Sequence, residues 1–310
     1  MRSARRTAFT RRRAPRSSVR ASQGLPAVVS SGTNDIHLND PQALYRRWEE
    51  SQWSPFTIDL STDRRHWLEM TGDDQRLIFF ILSSLMVAEE RITTKFSGLV
   101  GAYGTEEEAT FLATQQVDEA RHMQFYARFQ DEVIASRDTI TAHVDRARAQ
   151  VSDGFRQIFD VELVEAHRRL IAEPGSLAAK ARFVTLYHLI LEATLGLTTF
   201  KFTTDYLSRE DLLPGFVQGY SKIHHDETRH IGYGVWFLRE TVRSEPGIAD
   251  VIRQTLRDLL PSVVASLEPP GADAGRDFDA IGASGEAISA FALGGLTQRA
   301  DIIGVPLSTL

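Results

Sequence analysis

Two short motifs constrain the fold of this 310-residue chain more than any other feature of its sequence. They are Glu119-Ala-Arg-His122 and Glu227-Thr-Arg-His230, and only these two of the nine histidines follow a glutamate by three residues. Both motifs lie in stretches with the apolar periodicity of amphipathic helices. Residues three apart share one helix face, so each motif presents a carboxylate and an imidazole to one point. The sequence therefore predicts long helices with potential metal ligands on their inward faces.

Three of the predicted helices carry an inward stripe of residues at alternating spacings of three and four. On the first of these helices, the spacing places Glu89 on the inward stripe and its neighbour Glu90 off it. A further acid, Glu192, lies inside the apolar run LYHLILEATLGLTTF. The predicted metal ligands, in chain order, are Glu89, Glu119, His122, Glu192, Glu227 and His230.

Four carboxylates in an apolar core would be strongly unfavourable unless they were paired or bound to metal. Two divalent cations balance four carboxylates, and two single glutamates with two Glu-x-x-His motifs match the dimetal-carboxylate helical bundles. The chain contains no cysteine, which excludes disulfides, iron–sulfur clusters and thiolate zinc sites. Oxygen-rich ligation with two imidazoles favours iron or manganese.

The remaining pattern predicts an all-α chain, with a ferritin-like four-helix bundle core and additional helices. No segment shows the period-two alternation of a sheet. A short helix is expected in PQALYRRWEESQW, and an extended segment in SPFTIDLST. Longer helices are predicted at about Asp73–Ala102, from the capping-box pattern Thr105–Glu108 to about Ile134, and near 152–171, 177–207, 215–243, 246–267 and 281–301.

The charge is divided unevenly between the two ends of the chain. Residues 1–34 hold eight arginines and no acid, which leaves 27 basic against 41 acidic side chains and a net charge of −14 afterwards. That sign excludes a nucleic-acid partner for the folded part. We expect residues 1–39 to form a disordered arginine-rich arm, or to result from a start codon placed too early, and residues 40–310 to form the dimetal domain. The alternative is a targeting peptide, although no apolar h-region follows.

The longest strongly apolar run, about 77–88, is too short to cross a bilayer. We therefore expect a cytoplasmic protein that does not span a membrane.

The sequence resembles the ribonucleotide reductase small-subunit superfamily at the predicted ligands, and the resemblance extends from about Asp40 to Ser244. The resemblance is closest to its ligand-binding oxidase branch, and it carries over all six predicted ligands. Many reductase small subunits have aspartate at the position of Glu89, whereas the ligand-binding oxidases and the manganese/iron reductases have glutamate. No tyrosine follows Tyr233 and no tryptophan follows Trp236, so a C-terminal radical relay to a catalytic subunit is not visible.

This resemblance implies a dioxygen-activating oxidase with a manganese/iron pair, or alternatively two irons. It also implies a bound long-chain fatty acid or similar amphiphile, an external electron donor and a homodimer.

The resemblance also assigns roles to residues beyond the ligands. Tyr187, five residues before Glu192, corresponds to a tyrosine that the oxidases join covalently to a β-branched residue, which is Ile92 here. Trp53 and Asp226 correspond to the pair that links the surface to a metal-bound histidine and supplies electrons. Tyr126, four residues after His122, stands where many reductases hold a stable radical. It favours the alternative function, the radical-generating small subunit of ribonucleoside-diphosphate reductase.

Gly196 lies one turn beyond Glu192 in a predicted helix, where glycine costs about 1 kcal/mol relative to alanine. Either a ligand cavity beside the metals or a close approach of two helices would account for it. Reductases tend to have a bulky aromatic residue there, so a small residue would leave space for a ligand, but a close approach of two helices explains it equally well. Because ferritin-like bundles also store metal, non-enzymatic storage is a third function to consider.

Overall fold

The computed structural model describes residues 36–134, 137–266 and 282–310. Within these ranges the chain is helical and contains no strand, which confirms the predicted all-α, ferritin-like class. Most of the predicted N-terminal arm, residues 1–39, lies outside the described residues. The predicted domain 40–310 is described from its first residue, and Asp40 caps the first helix by accepting a hydrogen bond from the Ala43 amide at 2.8 Å.

The α-helices run in chain order from α1 to α13. Between them lie 3₁₀ turns at Pro55–Thr57 and Leu307–Thr309, and π-helical segments at Gln130–Ile134, Gln157–Glu162 and Thr185–Gly196. The α-helices are α1 (Pro41–Glu50), α2 (Ser61–Glu69), α3 (Gly72–Lys95), α4 (Ser97–Gly101), α5 (Glu106–Phe129), α6 (Ile140–Arg148), α7 (Asp153–Arg156), α8 (Leu163–Ala172), α9 (Leu177–Val184), α10 (Leu197–Arg209), α11 (Pro214–Ser244), α12 (Ile248–Ser266) and α13 (Gly285–Ile303).

Four helical elements form the central bundle. Helix α3 packs against α5, the π-helical segment Thr185–Gly196 packs against α11, and α5 and α11 pack against each other. The π-helical segment is buried almost throughout, from Thr185 to Leu195. This arrangement places all three predicted inward stripes and the apolar run around one core.

Glu108 ties the N-terminus of α5 to two other helices. Its amide is capped by the Thr105 hydroxyl at 3.2 Å, as the capping-box pattern predicts, while its carboxylate accepts from the Gly104 amide. The same carboxylate accepts two hydrogen bonds of 2.7 Å from the Lys180 ammonium and one from the Tyr233 hydroxyl. A buried ion pair thus joins α5 to α9, and the Tyr233 hydrogen bond joins both to α11.

The single helix predicted for 73–102 is interrupted at Phe96. The imidazole of His167 on α8 donates to the carbonyl of Lys95 at 2.7 Å, which diverts that carbonyl from regular helical bonding. Gly98 makes room for this ring, since a Cβ there would lie 2.8 Å from Nδ1 of His167. The break is therefore caused by a tertiary contact.

The α-helix predicted for 177–207 is also corrected, because residues 185–196 are π-helical. The hydroxyl of Thr194 donates to the carbonyl of Leu189, five residues earlier, at 2.6 Å. Helix α11 approaches this segment closely at Gly234, where a Cβ would lie 2.2 Å from Cβ of His188. Such π-helical turns are frequent at functional sites, and this one carries Glu192.

Two shorter predictions also need correction. The segment SPFTIDLST is not fully extended, since it contains the 3₁₀ turn Pro55–Thr57 and the start of α2 at Ser61. Helix α6 was not predicted. It is short, and Thr139 caps its start by accepting a hydrogen bond from the Ala142 amide at 3.2 Å.

Among the described residues, one helical run is long and apolar enough to cross a membrane. It extends from Leu177 to Arg209, and 78% of its most apolar window is buried inside the protein. Such burial is typical of the central helix of a bundle.

Candidate metal centre

All six predicted ligands converge on one region of the bundle. Two groups of their donor atoms each lie within 4.8 Å of one another. Helix α3 supplies one carboxylate, the π-helical segment supplies another, and α5 and α11 each supply a carboxylate and an imidazole. The first group contains Glu89, Glu119, His122 and Glu227, and the second contains Glu119, Glu192 and His230.

Glu119 and Glu227 stand between the two imidazoles. Nδ1 of His122 lies 3.2 Å from Oε2 of Glu119 and 3.5 Å from Oε1 of Glu227. Nδ1 of His230 lies 3.3 Å from the other Glu119 oxygen and 3.4 Å from the other Glu227 oxygen. Each of these carboxylates directs one oxygen to each imidazole, so each would offer an oxygen to both of two bound cations.

Glu89 and Glu192 each lie beside one imidazole and would each offer a carboxylate to one cation. Glu89 lies 3.6 Å from Nδ1 of His122, and Glu192 lies 3.5 Å from Nδ1 of His230. The two halves of the centre therefore have the same composition, one unshared carboxylate and one imidazole each, around two shared carboxylates.

The spacing of these atoms suits cations rather than direct hydrogen bonds. Ligand atoms bound about 2.0–2.2 Å from one ion lie about 3.0–3.5 Å apart, close to the observed separations. Within the described residues, Nδ1 of His122 and of His230 and one oxygen each of Glu89, Glu192 and Glu227 form no hydrogen bond although they are buried. Buried polar atoms that lack hydrogen bonds lower the stability of the folded protein. The donor set therefore fits two divalent cations.

Protons bind strongly to several buried groups of the centre. Burial raises the pKa of Glu89 to about 8 and that of Glu192 well above its ordinary value. Burial alone would lower the pKa values of His122 and His230, but the surrounding carboxylates raise both well above the ordinary range. Cations that bind here must displace these protons.

An aspartate lies behind each histidine. Nε2 of His122 lies 3.2 Å from Asp226, as the resemblance implied, and Nε2 of His230 lies 3.2 Å from Asp118, which was not predicted. The signal was present, because each aspartate directly precedes the glutamate of its motif, giving Asp-Glu-x-Arg-His twice. A hydrogen bond from Nε2 leaves Nδ1 as the atom that would bind a cation.

Two arginines neutralise these aspartates. Arg229 bonds Asp118 at 3.0 Å and Asp226 at 2.6 Å, and Arg121 bonds Asp118 at 2.6 Å. Burial opposes ionisation of Asp226, but its bonds with His122 and Arg229 hold its pKa below the ordinary range. Both aspartates are therefore fixed as acceptors.

Each aspartate also accepts a hydrogen bond from a tryptophan. The Trp53 indole donates to Asp226 at 2.7 Å, as predicted, and the Trp48 indole donates to Asp118 at 2.9 Å. Trp48 was not predicted, because its partner was not. Two Trp–Asp–His chains thus reach the centre, one toward each imidazole.

A cavity of about 190 Å³ opens beside the centre. Glu89, Glu192 and Glu227 line it, together with Gly196. Gly196 thus lies where a ligand cavity would explain it, although a Cβ there would also lie 3.3 Å from the Leu191 carbonyl oxygen. Most of the remaining wall is apolar, and it includes Phe80, Ile81, Leu85, Phe155, Phe159 and Leu195.

The ribonucleotide reductase small chain family matches residues 32–267. The chain belongs to this family. Among solved structures it is similar to R2-like ligand-binding oxidases with Mn/Fe cofactor. A tyrosine-to-phenylalanine mutant reconstituted aerobically has a TM-score of 0.74 and 22% identity, over 85% of this chain and 93% of that one.

Two structures of a valine-to-isoleucine mutant of the oxidase give similar values. The aerobically reconstituted form has a TM-score of 0.75 and 22% identity, over 85% of this chain and 94% of the other. The anaerobically reconstituted form has a TM-score of 0.75 and 23% identity, over 86% of this chain and 94% of the other. At such identities the likeness shows a shared fold.

In this small-chain fold both predicted tyrosines lie beside proposed ligands. The hydroxyl of Tyr187 donates to Glu119 at 2.7 Å, and its ring packs against Phe96 with ring centres 4.9 Å apart. Tyr126 and Ile92 instead line the cavity. Burial keeps the pKa of both tyrosines well above the ordinary value, so both phenols stay protonated.

Proposed function

We propose that the protein is a dimetal oxidase that uses dioxygen and acts on a bound long-chain fatty-acid-like ligand. The observation that carries the proposal is the apolar cavity ending on Glu89, Glu192 and Glu227, three of the six proposed metal ligands. A ligand carboxylate would be a hard oxygen donor for the cations. Its chain would gain about 0.8 kcal/mol for each methylene buried in the cavity.

The residues then have distinct roles. The four glutamates and two histidines hold the metals, which supply redox chemistry with dioxygen when bound. Trp53 and Asp226 form the proposed route for electrons from an external donor, and Trp48 with Asp118 offers an equivalent contact on the other histidine. Gly196 leaves space for the ligand chain.

We assign a manganese/iron pair to this centre. The oxygen and nitrogen donors suit both metals. The solved structures similar to this chain carry that pair in their own centres.

Metal analysis and lipid extraction test the proposal together. Protein purified from cells supplied with both metals should contain manganese and iron in comparable amounts, and solvent extraction should release a fatty-acid-sized ligand. Two irons per chain under manganese-replete conditions, or no extractable lipid, would contradict it.

Gly196→Phe should fill the cavity, expel the ligand and leave both metals bound. Gly294→Phe is the matched control, because Gly294 is exposed on α13 and has no neighbour within 4 Å. Loss of the ligand in both variants, or in neither, would show that Gly196 does not form part of the ligand site.

One observation favours the reductase-subunit alternative. Tyr126 lies four residues after His122, and its buried hydroxyl has no hydrogen-bond partner among the described residues. If the chain is a reductase subunit, a catalytic partner should co-purify with it. Mixing the two should restore nucleotide reduction, and Tyr126→Phe should abolish that activity.

A storage protein would instead take up many irons per chain in a hollow shell, which size-exclusion chromatography with iron counting detects.

A further inference from the structure

One wall of the cavity is a polar strip on α11. Tyr220, His224 and Glu227 follow one another at spacings of four and three and all line the cavity. With a rise of 1.5 Å per residue, His224 lies about 4.5 Å and Tyr220 about 10.5 Å along the helix axis from Glu227. The strip therefore leads away from the metal centre along the space that a ligand chain would occupy.

Three polar atoms on this side lack partners. The hydroxyls of Tyr126 and Tyr220 and Nδ1 of His224 are buried and form no hydrogen bond within the described residues. Tyr126 and Tyr220 are only 2% and 3% exposed. An unmet buried polar atom costs about 1–3 kcal/mol, and phenylalanine would fill the same space without that cost. A hydrogen-bonding partner inside the cavity would therefore stabilise these polar atoms.

The rings that carry these atoms are held in place. The His224 imidazole stacks on Phe200, with ring centres 3.9 Å apart and planes 8° apart. The Tyr220 ring contacts Phe200 at 5.1 Å and Tyr126 at 6.5 Å between ring centres. Preorganised groups lose little conformational entropy when they bind. They can consequently discriminate between ligands that do and do not offer a matching polar group.

We infer that the cavity binds an oxygenated amphiphile, a carboxylic acid with a hydroxyl or oxo group along its chain, recognised by Tyr126, Tyr220 and His224. Phenols and imidazoles both donate and accept hydrogen bonds, so either group would pair with them. A plain saturated chain would leave all three unpaired. The inference rests on the proposed function only in taking this cavity as the ligand site.

A competition experiment tests the inference. Metal-loaded protein is incubated with equal amounts of tetradecanoic acid and a mixture of its mid-chain hydroxy isomers, then desalted, extracted and analysed by mass spectrometry. One or two new hydrogen bonds should enrich at least one hydroxy isomer about tenfold over the plain acid. Equal uptake of all acids, or uptake of none, would overturn the inference.

Two variants identify the recognising groups. Tyr220→Phe should reduce the enrichment toward equality, and Tyr126→Phe provides a second test should Tyr220→Phe fold poorly. Tyr206→Phe, a buried tyrosine on α10 that does not line this cavity, should keep the wild-type preference. An enrichment that survives in both cavity variants would mean that these phenols do not bind the ligand.

Metal content and dioxygen uptake are measured on the same protein preparations before acid is added. Absence of metal or of dioxygen uptake would contradict the proposed function. The acid preference decides the inference in either case.

Discussion

The carboxylate of Asp118 on α5 lies 3.2 Å from Nε2 of His230 on α11, and Asp226 on α11 lies 3.2 Å from Nε2 of His122 on α5. The two Asp-Glu-x-Arg-His motifs are thus connected crosswise, and each helix orients the imidazole of the other. Correct placement of either ligand pair therefore depends on the packing of α5 against α11.

Removing one aspartate should weaken one metal site. Asp118→Ala should lower the affinity for the metal at His230 by about 10–100-fold, because the imidazole loses the acceptor that fixes its orientation. Chelator competition measures this change. Asp131→Ala is the control, since Asp131 bonds His143 at 2.7 Å outside the centre. Unchanged affinity in Asp118→Ala would show that Asp118 does not support the site.

Metal binding should release protons and strengthen as pH rises. The pKa of Glu89 is raised to about 8, so this carboxyl is mostly protonated at neutral pH without metal. The raised pKa values of His122 and His230 act in the same direction. Because cations compete with these protons, apparent affinity should increase as pH approaches about 8. Calorimetry in buffers of different ionisation enthalpy would measure the release, and pH-independent affinity would contradict this account.

Dioxygen should join the phenolic oxygen of Tyr187 to the β-carbon of Ile92 when it reacts with the reduced, metal-loaded protein. Tyr187 already bonds Glu119, and Ile92 follows Glu89 by three residues on the inward face of α3. The link removes one hydrogen from each residue. Two electrons from the link and two from the reduced metals convert dioxygen to water, with two further protons from solvent.

Peptide mass spectrometry detects this link. A joined peptide pair, lighter by two hydrogens, should appear only after exposure to oxygen and should be absent in Tyr187→Phe. Two separate unmodified peptides after aerobic treatment would refute the link and leave the metal site intact.

The buried pair of Lys180 and Glu108 should be important for stability. Lys180→Met leaves the Glu108 carboxylate buried without its cation and should lower the free energy of unfolding by about 3–5 kcal/mol. Arg169→Met removes the exposed pair with Glu165, whose side chains are 60% and 49% exposed, and should cost at most about 1 kcal/mol. Denaturant titration compares the two. Similar decreases in the free energy of unfolding for the two variants would mean that burial does not determine how much an ion pair contributes to stability.

The sequence was sufficient to predict the six residues that converge, because Glu192 lies inside an apolar run and the other five share inward helix faces by their spacing. Glu89 was separated from Glu90 on that ground, and the structure pairs Glu90 with Arg148 and Arg91 instead. Asp118 was missed although its motif repeats that of Asp226, because its acceptor role depends on which helix lies opposite.

Irregular backbone could not be predicted from periodicity. The break at Phe96 depends on His167, which is distant in sequence. The π-helical segment around Glu192 lies where Gly234 brings α11 against His188. Such features depend on contacts between helices, whereas periodicity reports only the face of a single helix.

Counting metals in purified variants tests the central claim most directly. Wild-type protein should bind two metals per chain, and Glu119→Ala or Glu227→Ala should lose at least one, because each removes a carboxylate shared by both imidazoles. Glu90→Ala, which alters the adjacent acid outside the centre, should retain both. Two metals per chain in both Glu119→Ala and Glu227→Ala would contradict the account.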